Sequence, residues 1–267
     1  MKIRTIAFNT FGSFLRDKLI ILFCIVFACV VLLMMTPMLA VKAMTTVSNA
    51  QQMQAMVLGI VATIMSMMSG FGSLLAAWAA ADSVATEMKS GTILAVMARP
   101  VERWEFLLGK FLGVMLMMAI YVLLMFGLSY LLAWMGGERI QSTPWVLLVY
   151  PMVRYAMYAA IAMLLVTVFH SVVTFGIVLG LSVLALMVAP TSRSSTIMMR
   201  FIRIPLYQVL PSTTLLSEDR FLSITHASLK QVGWLDHATT LAYGLDYALV
   251  YLLLAMLSFH YRSLKRD

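Results

Sequence analysis

The chain has 267 residues, of which 62% are hydrophobic and only 11% are charged. Its mean hydropathy of +0.95 places it far outside soluble globular domains, in which about 45–50% of residues are apolar, so we expect a polytopic membrane protein. The net charge of +8 does not indicate nucleic-acid binding, because many of the basic residues lie at the ends of apolar runs and they form no patch with interleaved aromatic residues.

The first 18 residues predict an amphipathic helix that lies in the membrane interface. Apolar side chains recur at helical spacing along one face, and cations flank or oppose that face, as is typical of helices at anionic headgroups. The apolar set is Ile3, Ile6, Ala7, Phe11, Phe14 and Leu15, and the cations are Lys2, Arg4, Arg16 and Lys18. The alternative is a merely basic N-terminal tail.

The rest of the chain predicts six membrane spans, because several apolar runs exceed the roughly 18–20 residues needed to cross a hydrocarbon core. Residues 144–190 are too long for one span, so two are expected there, with a turn near residues 169–174. The second span is rich in small residues, which favour close helix packing in lipid. The expected spans are residues 19–41, 55–81, 107–135, two within 144–190, and 239–261.

The distribution of basic residues predicts the orientation. Cations cluster before the first span, between the second and third spans, and after the last span. With six spans these three places share one side, so both termini and the loop at residues 82–106 are predicted to be cytoplasmic. Five basic residues in the long mixed segment 191–238 oppose this orientation, although long loops follow the charge rule less strictly.

Charge is concentrated between the second and third spans, at residues 82–110. Residues 82–89 are predicted to continue the second span into water as a helix, which ends at Gly91. A second helix, residues 92–98, ends at Pro100, which can also open the next helix. The charged residues of the stretch are Asp82, Glu87, Lys89, Arg99, Glu102, Arg103, Glu105 and Lys110, of which Glu102 and Glu105 favour the first turn of that next helix.

The helix at residues 92–98 carries apolar side chains into water and is too short to be stable alone. It therefore predicts docking into a groove on another protein, with flanking charges that steer the contact. The residues expected at that contact are Glu87, Gly91, Thr92, Ile93, Leu94, Met97, Arg99, Pro100 and Arg103. A compact loop that covers itself at the membrane surface is the alternative.

This loop resembles the signature loop of ABC-2-type transporter permeases, and it is most similar to the NosY-like subgroup of copper-enzyme maturation permeases. The matching residues are Glu87, Gly91, Thr92, Pro100, Arg103, Leu108, Gly109, Lys110 and Gly113. The resemblance implies an all-α fold: one ABC-2 transmembrane domain of the type V exporter kind over residues 1–267. That domain would hold an interfacial helix at 1–18, a cytoplasmic coupling loop at 82–106, and an outer interfacial or re-entrant segment at 191–238.

The resemblance also implies partners and a function. Two permease copies would form a homodimer in the bacterial plasma membrane with two cytoplasmic ATPase subunits, each of which receives one coupling helix and binds ATP and Mg²⁺. This chain would then couple ATP hydrolysis to export, with no catalytic residue, metal or cofactor of its own. The alternative is a transducer that does mechanical work on a periplasmic partner and moves no small solute.

The residues themselves agree that hydrolysis belongs to another polypeptide. Lys110 follows Gly109, but no glycine precedes the pair at the spacing of a phosphate-binding loop. Two ionisable residues lie inside predicted spans, Arg154 and Asp246, and such residues are functional candidates. Arg154 is expected either to reach outward to the membrane surface or to pair with Asp246 across helices.

Overall fold

The computed structural model describes residues 2–14, 16–18, 50–90, 102–136, 144–188 and 234–261, with the single residues 25, 29, 33 and 36. These residues form six α-helices, which confirms the all-α prediction for this part of the chain. The helices are α1 (Lys2–Phe14), α2 (Ala50–Ser90), α3 (Arg103–Gly136), α4 (Pro144–Val166), α5 (Ser171–Val188) and α6 (Trp234–Tyr261). Most of the predicted first span at 19–41, the middle of the coupling loop and most of segment 191–238 lie outside the described residues.

Four of the described helices contain stretches long and apolar enough to cross a membrane, which makes the chain a multi-pass membrane protein. These stretches are Thr63–Met88, Arg103–Leu128, Leu148–Val166 and Trp234–Tyr261, and the apolar part of α5, Ser171–Leu184, is shorter. The last helix begins at Trp234, five residues before the predicted start at 239, so residues 234–238 belong to α6 and not to the preceding segment.

Helix α4 lies at the centre of the bundle and contacts α2, α3, α5 and α6. Its residues from Tyr155 to Met163 are all buried, and such burial suits a helix that is apolar on every face. Two polar contacts fasten α6 to it, since Tyr150 Oη lies 2.8 Å from His237 Nδ1 and Thr167 Oγ1 lies 2.8 Å from Ser258 Oγ. The contacts join the beginnings and the ends of the two helices, so α4 and α6 run in the same direction.

Residues 144–188 form two helices, as expected, but only α4 contains a stretch long and apolar enough to cross a membrane, so the second span stays a prediction. The turn between the two helices is at residues 167–170 instead of 169–174. Thr167 explains why the turn begins earlier in the chain than predicted. Its hydroxyl donates to the carbonyl of Leu164 over 2.6 Å, and this local bond competes with continued helix. His170 then accepts the first backbone hydrogen bond of α5, from the N–H of Thr174 over 2.8 Å.

Helix α2 runs on to Ser90, as predicted, but residues 82–89 do not simply extend into water. Ser83, Val84 and Ala85 are buried in the bundle, because α2 packs against its neighbours well beyond the apolar run. Only some of the small residues of α2 lie at a close contact with another helix. Gly72 abuts the Tyr155 ring of α4, whereas a side-chain carbon built at Gly70 would meet no atom within 4 Å in the described part of the chain.

Helix α1 is helical as predicted and not an unstructured basic tail, but its apolar face lies on α3. Thr10 and Phe14 are buried, Ile6 and Ala7 are partly buried, and Phe8 is 54% exposed on the opposite face. Amphipathicity shows that one face is covered without identifying what covers it. The structure shows that α3 covers this face, and the position of α1 in the membrane interface stays a prediction.

Candidate functional site

The beginning of α3 is fixed by two glutamates. The backbone N–H of Glu102 donates to the carboxylate of Glu105 over 3.1 Å, and the carbonyl of Glu102 accepts the first helical hydrogen bond, from the N–H of Phe106 over 3.1 Å. This is the carboxylate half of a capping box, and it places two negative charges at the positive end of the helix dipole. Helix α3 therefore begins at Arg103, three residues after Pro100, which was expected to open it.

Arg103 joins the beginning of α3 to the end of α6. Its Nη1 donates to the carbonyl of His260 over 2.8 Å and to that of Phe259 over 3.4 Å. The last carbonyls of a helix lack partners within the helix, and a cation there also interacts favourably with the helix dipole. One turn further along α3, the ring of Phe106 stacks on Phe259 with centroids 6.0 Å apart and planes inclined by 21°.

Glu87 and Lys110 form an ion pair that joins the end of α2 to α3. Lys110 is buried, and 23% of the Glu87 side chain is exposed. The ammonium of Lys110 also lies 5.7 Å from the centre of the Phe106 ring. A buried charge whose partner is removed costs about 3–5 kcal/mol, so this pair holds the two helices at a fixed separation. We call Glu87, Arg103, Phe106 and Lys110 the loop anchor.

Gly109 and Gly113 allow α1 to pack closely against the same end of α3. A side-chain carbon at Gly109 would lie 2.8 Å from Cβ of Ile6, and one at Gly113 would lie 2.7 Å from Cβ of Thr10 and 2.8 Å from the carbonyl oxygen of Ala7. Glycines four residues apart let two helix backbones approach this closely. Both glycines belong to the loop signature, and their spacing was the available signal for this contact.

The sequence-predicted contact residues fall into two groups. Glu87 and Arg103 are described, and both side chains are engaged within the bundle: Glu87 with Lys110, and Arg103 with the end of α6. The others lie outside the described residues, so their role in docking stays a prediction; they are Gly91, Thr92, Ile93, Leu94, Met97, Arg99 and Pro100. Sequence reasoning missed Phe106, Gly109 and Gly113 as structural contacts of the loop ends.

The two intramembrane ionisable residues do not meet. Arg154 Nη1 donates to Oγ of Ser69 on α2 over 3.2 Å, and Asp246 is exposed on α6. Arg154 therefore neither pairs with Asp246 nor simply reaches outward. It is held against α2 by this hydrogen bond to Ser69.

Comparison with known proteins assigns this arrangement to a family. The model of the ABC-2 family transporter proteins matches residues 4–264, nearly the whole chain, whereas a search of curated proteins finds no match. Members of this family are membrane components of ABC transporters, which implies separate ATPase subunits as partners. The match covers the signature residues of the loop and the helices that anchor it, and the chain belongs to the ABC-2 transporter family.

Proposed function

We propose that this chain is the permease subunit of an ABC exporter of the bacterial inner membrane. In this proposal it has six spans and cytoplasmic termini, and two copies form a dimer that works with two separate ATPase subunits. The loop between α2 and α3 enters a cleft on the ATPase through residues 92–98 and transmits the motion that ATP hydrolysis produces. In this proposal the chain belongs to the NosY-like subgroup, which its loop resembles.

The observation that carries the proposal is the loop anchor. A loop can transmit force to a bundle only if its two ends are firmly held. Here one end is fastened by the ion pair of Glu87 with Lys110, and the other by the bonds from Arg103 to the end of α6. Helix α1 lies against α3 at the same level, on Gly109 and Gly113. A push on the loop would therefore move α1, α2, α3 and α6 together, as packed elements move as units.

Co-purification with the ATPase tests the docking step. The full-length chain is tagged and purified from its native membrane, and the bound ATPase is measured. Leu94→Asp places a charge in the apolar docking helix and should abolish ATPase recovery, because burying an unpaired charge is costly. Thr86→Asp adds the same charge at an exposed position on α2 and should retain the ATPase.

Two results would count against docking through this loop: retention of the ATPase by the Leu94→Asp variant, or its equal loss in both variants. Gly91→Pro then separates docking from coupling. In this variant the ATPase should remain bound while hydrolysis no longer drives export.

The second candidate function is mechanical work on a periplasmic partner without transport of a small solute. The feature that favours it is the long mixed segment 191–233 between α5 and α6, which is long enough to receive another protein. Recovery of a periplasmic protein with the wild-type chain, and its loss when charges are introduced into this segment, would select this function. Recovery of the ATPase alone would select the exporter.

A further inference from the structure

Arg154 lies inside the membrane-spanning stretch of α4, Leu148–Val166. It follows Leu148 by six residues and precedes Val166 by twelve, which puts it roughly 9 Å and 18 Å from the ends of that stretch at about 1.5 Å per residue. An ionised side chain at this depth is costly and is usually paired or functional. In the described part of the chain Arg154 forms no ion pair, and its hydrogen bond is to the neutral hydroxyl of Ser69.

One N–H group of this guanidinium has no acceptor among the described residues. Nη1 is used by Ser69, while Nε is buried and has no acceptor among the described residues. Nε and Nη2 together form the edge that presents two parallel N–H groups to a carboxylate or phosphate. A buried donor without an acceptor costs about 1–3 kcal/mol, so a ligand that accepts from Nε gains a site that is already oriented.

Small residues of α2 surround Ser69, the residue that contacts Arg154. Ser66 lies one turn before Ser69 and is exposed, and a side-chain carbon at Gly70 would meet no atom of the described residues within 4 Å. Residues three apart on a helix are neighbours on its surface, so small side chains lead from Arg154 to an open face. Met67, 44% exposed, adds apolar surface beside them. The surroundings suit an anionic head attached to an apolar body better than a hydrated inorganic anion.

We propose that Arg154 binds the carboxylate or phosphate head of an amphiphile between α2 and α4. The proposal rests on the exporter function, in which this amphiphile is the transported molecule, but binding is measurable without transport. The same chemistry is presented by a resident anionic phospholipid and by a free amphiphile, so the test includes one probe of each kind.

The probe is dodecyl phosphate, added to the full-length chain purified in a neutral detergent with any bound ATPase retained. Dodecyl phosphate should raise the Tm saturably, because a ligand that binds only the folded state stabilises it, whereas dodecanol should not. Arg154→Gln should weaken binding at least about tenfold, the factor that corresponds to about 1.4 kcal/mol. Arg4→Gln, which removes an exposed cation from α1, should bind as the wild type does.

Equal binding by wild type and Arg154→Gln, or an equal Tm rise with dodecanol, would refute the site. Should Arg154→Gln fail to fold, Arg154→Lys decides, because it keeps the charge but not the two-donor edge; wild-type affinity in this variant would refute the bidentate contact. Phosphatidylglycerol in nanodiscs supplies the second probe. Arg154-dependent competition by this lipid identifies a membrane lipid as the ligand, whereas its failure to compete identifies a free amphiphile.

Loss of dodecyl phosphate binding and loss of ATPase recovery are separate results. A chain that retains its ATPase but does not bind the probe refutes this site and leaves the exporter function intact. A chain that binds the probe through Arg154 but recovers no ATPase refutes the exporter function alone.

Discussion

Lys110→Met tests whether the loop anchor depends on its ion pair. The substitution removes the cation and keeps an apolar stem of similar length, so Glu87 is left at the end of α2 without the ammonium that faces it. Removal of one partner from a buried pair costs about 3–5 kcal/mol. Because 23% of the Glu87 side chain is exposed, water can relieve part of the loss, and we expect a cost at the lower end, about 3 kcal/mol.

This cost corresponds to a measurable change in thermal stability. In a chain of this size, 1 kcal/mol shifts the Tm by about 2–4 °C, so Lys110→Met should unfold roughly 6–12 °C below the wild type in neutral detergent. Adding Glu87→Gln also removes the carboxylate charge and should restore much of the lost thermal stability, since replacement of both partners of a buried ion pair by apolar or neutral residues is often nearly neutral. A shift below about 2 °C in the single variant, or simple addition of the two single effects in the double variant, would refute the coupling of these side chains.

Two further substitutions test the other contacts at this end of the bundle. Gly113→Leu should displace α1 and cost about 1–3 kcal/mol by overpacking, seen as faster proteolysis of the N-terminal helix. Gly127→Leu should leave the cleavage rate unchanged, because a side-chain carbon there would meet no atom of the described residues within 4 Å. Arg103→Gln should remove about 1 kcal/mol of favourable interaction with the end of α6, detected as faster hydrogen exchange at Phe259 and His260; unchanged exchange there would show that the bonds contribute nothing.

The sequence predicted the helices well because hydropathy depends on the run of residues and not on their neighbours in space. Helices α2, α3 and α6 agree with the predicted spans to within several residues at most ends, and the pair α4 and α5 was expected from length alone. The predicted start of α3 at Pro100 was wrong because Glu102 and Glu105 form the cap locally. Side-chain capping can shift a helix end by three residues without changing the hydropathy pattern.

Pairing between helices was the part that the sequence did not reveal. Glu87 and Lys110 were both recognised as signature residues, yet the charge of Glu87 was assigned to an external partner, since a sequence gives the sign of a charge and not the position of its counterion. Gly109 and Gly113 carried a usable signal in their spacing. For Arg154, apolar surroundings indicated an important residue, but only the positions of α2 and α4 identified Ser69 as its partner.

The bonds from Arg103 to α6 also affect the order in which the protein is completed during synthesis. The carbonyls that accept from Arg103 lie 156 and 157 residues further along the chain. At about 5–20 residues per second, the ribosome needs roughly 8–30 s to make them after Arg103 has been made. During that interval all residues of the loop between α2 and α3 have been made, but the contact of Arg103 with the end of α6 has not yet formed. A truncated permease without the end of α6 would therefore display the loop in an unfastened form, and only a chain synthesised nearly to its C-terminus acquires a firmly held one.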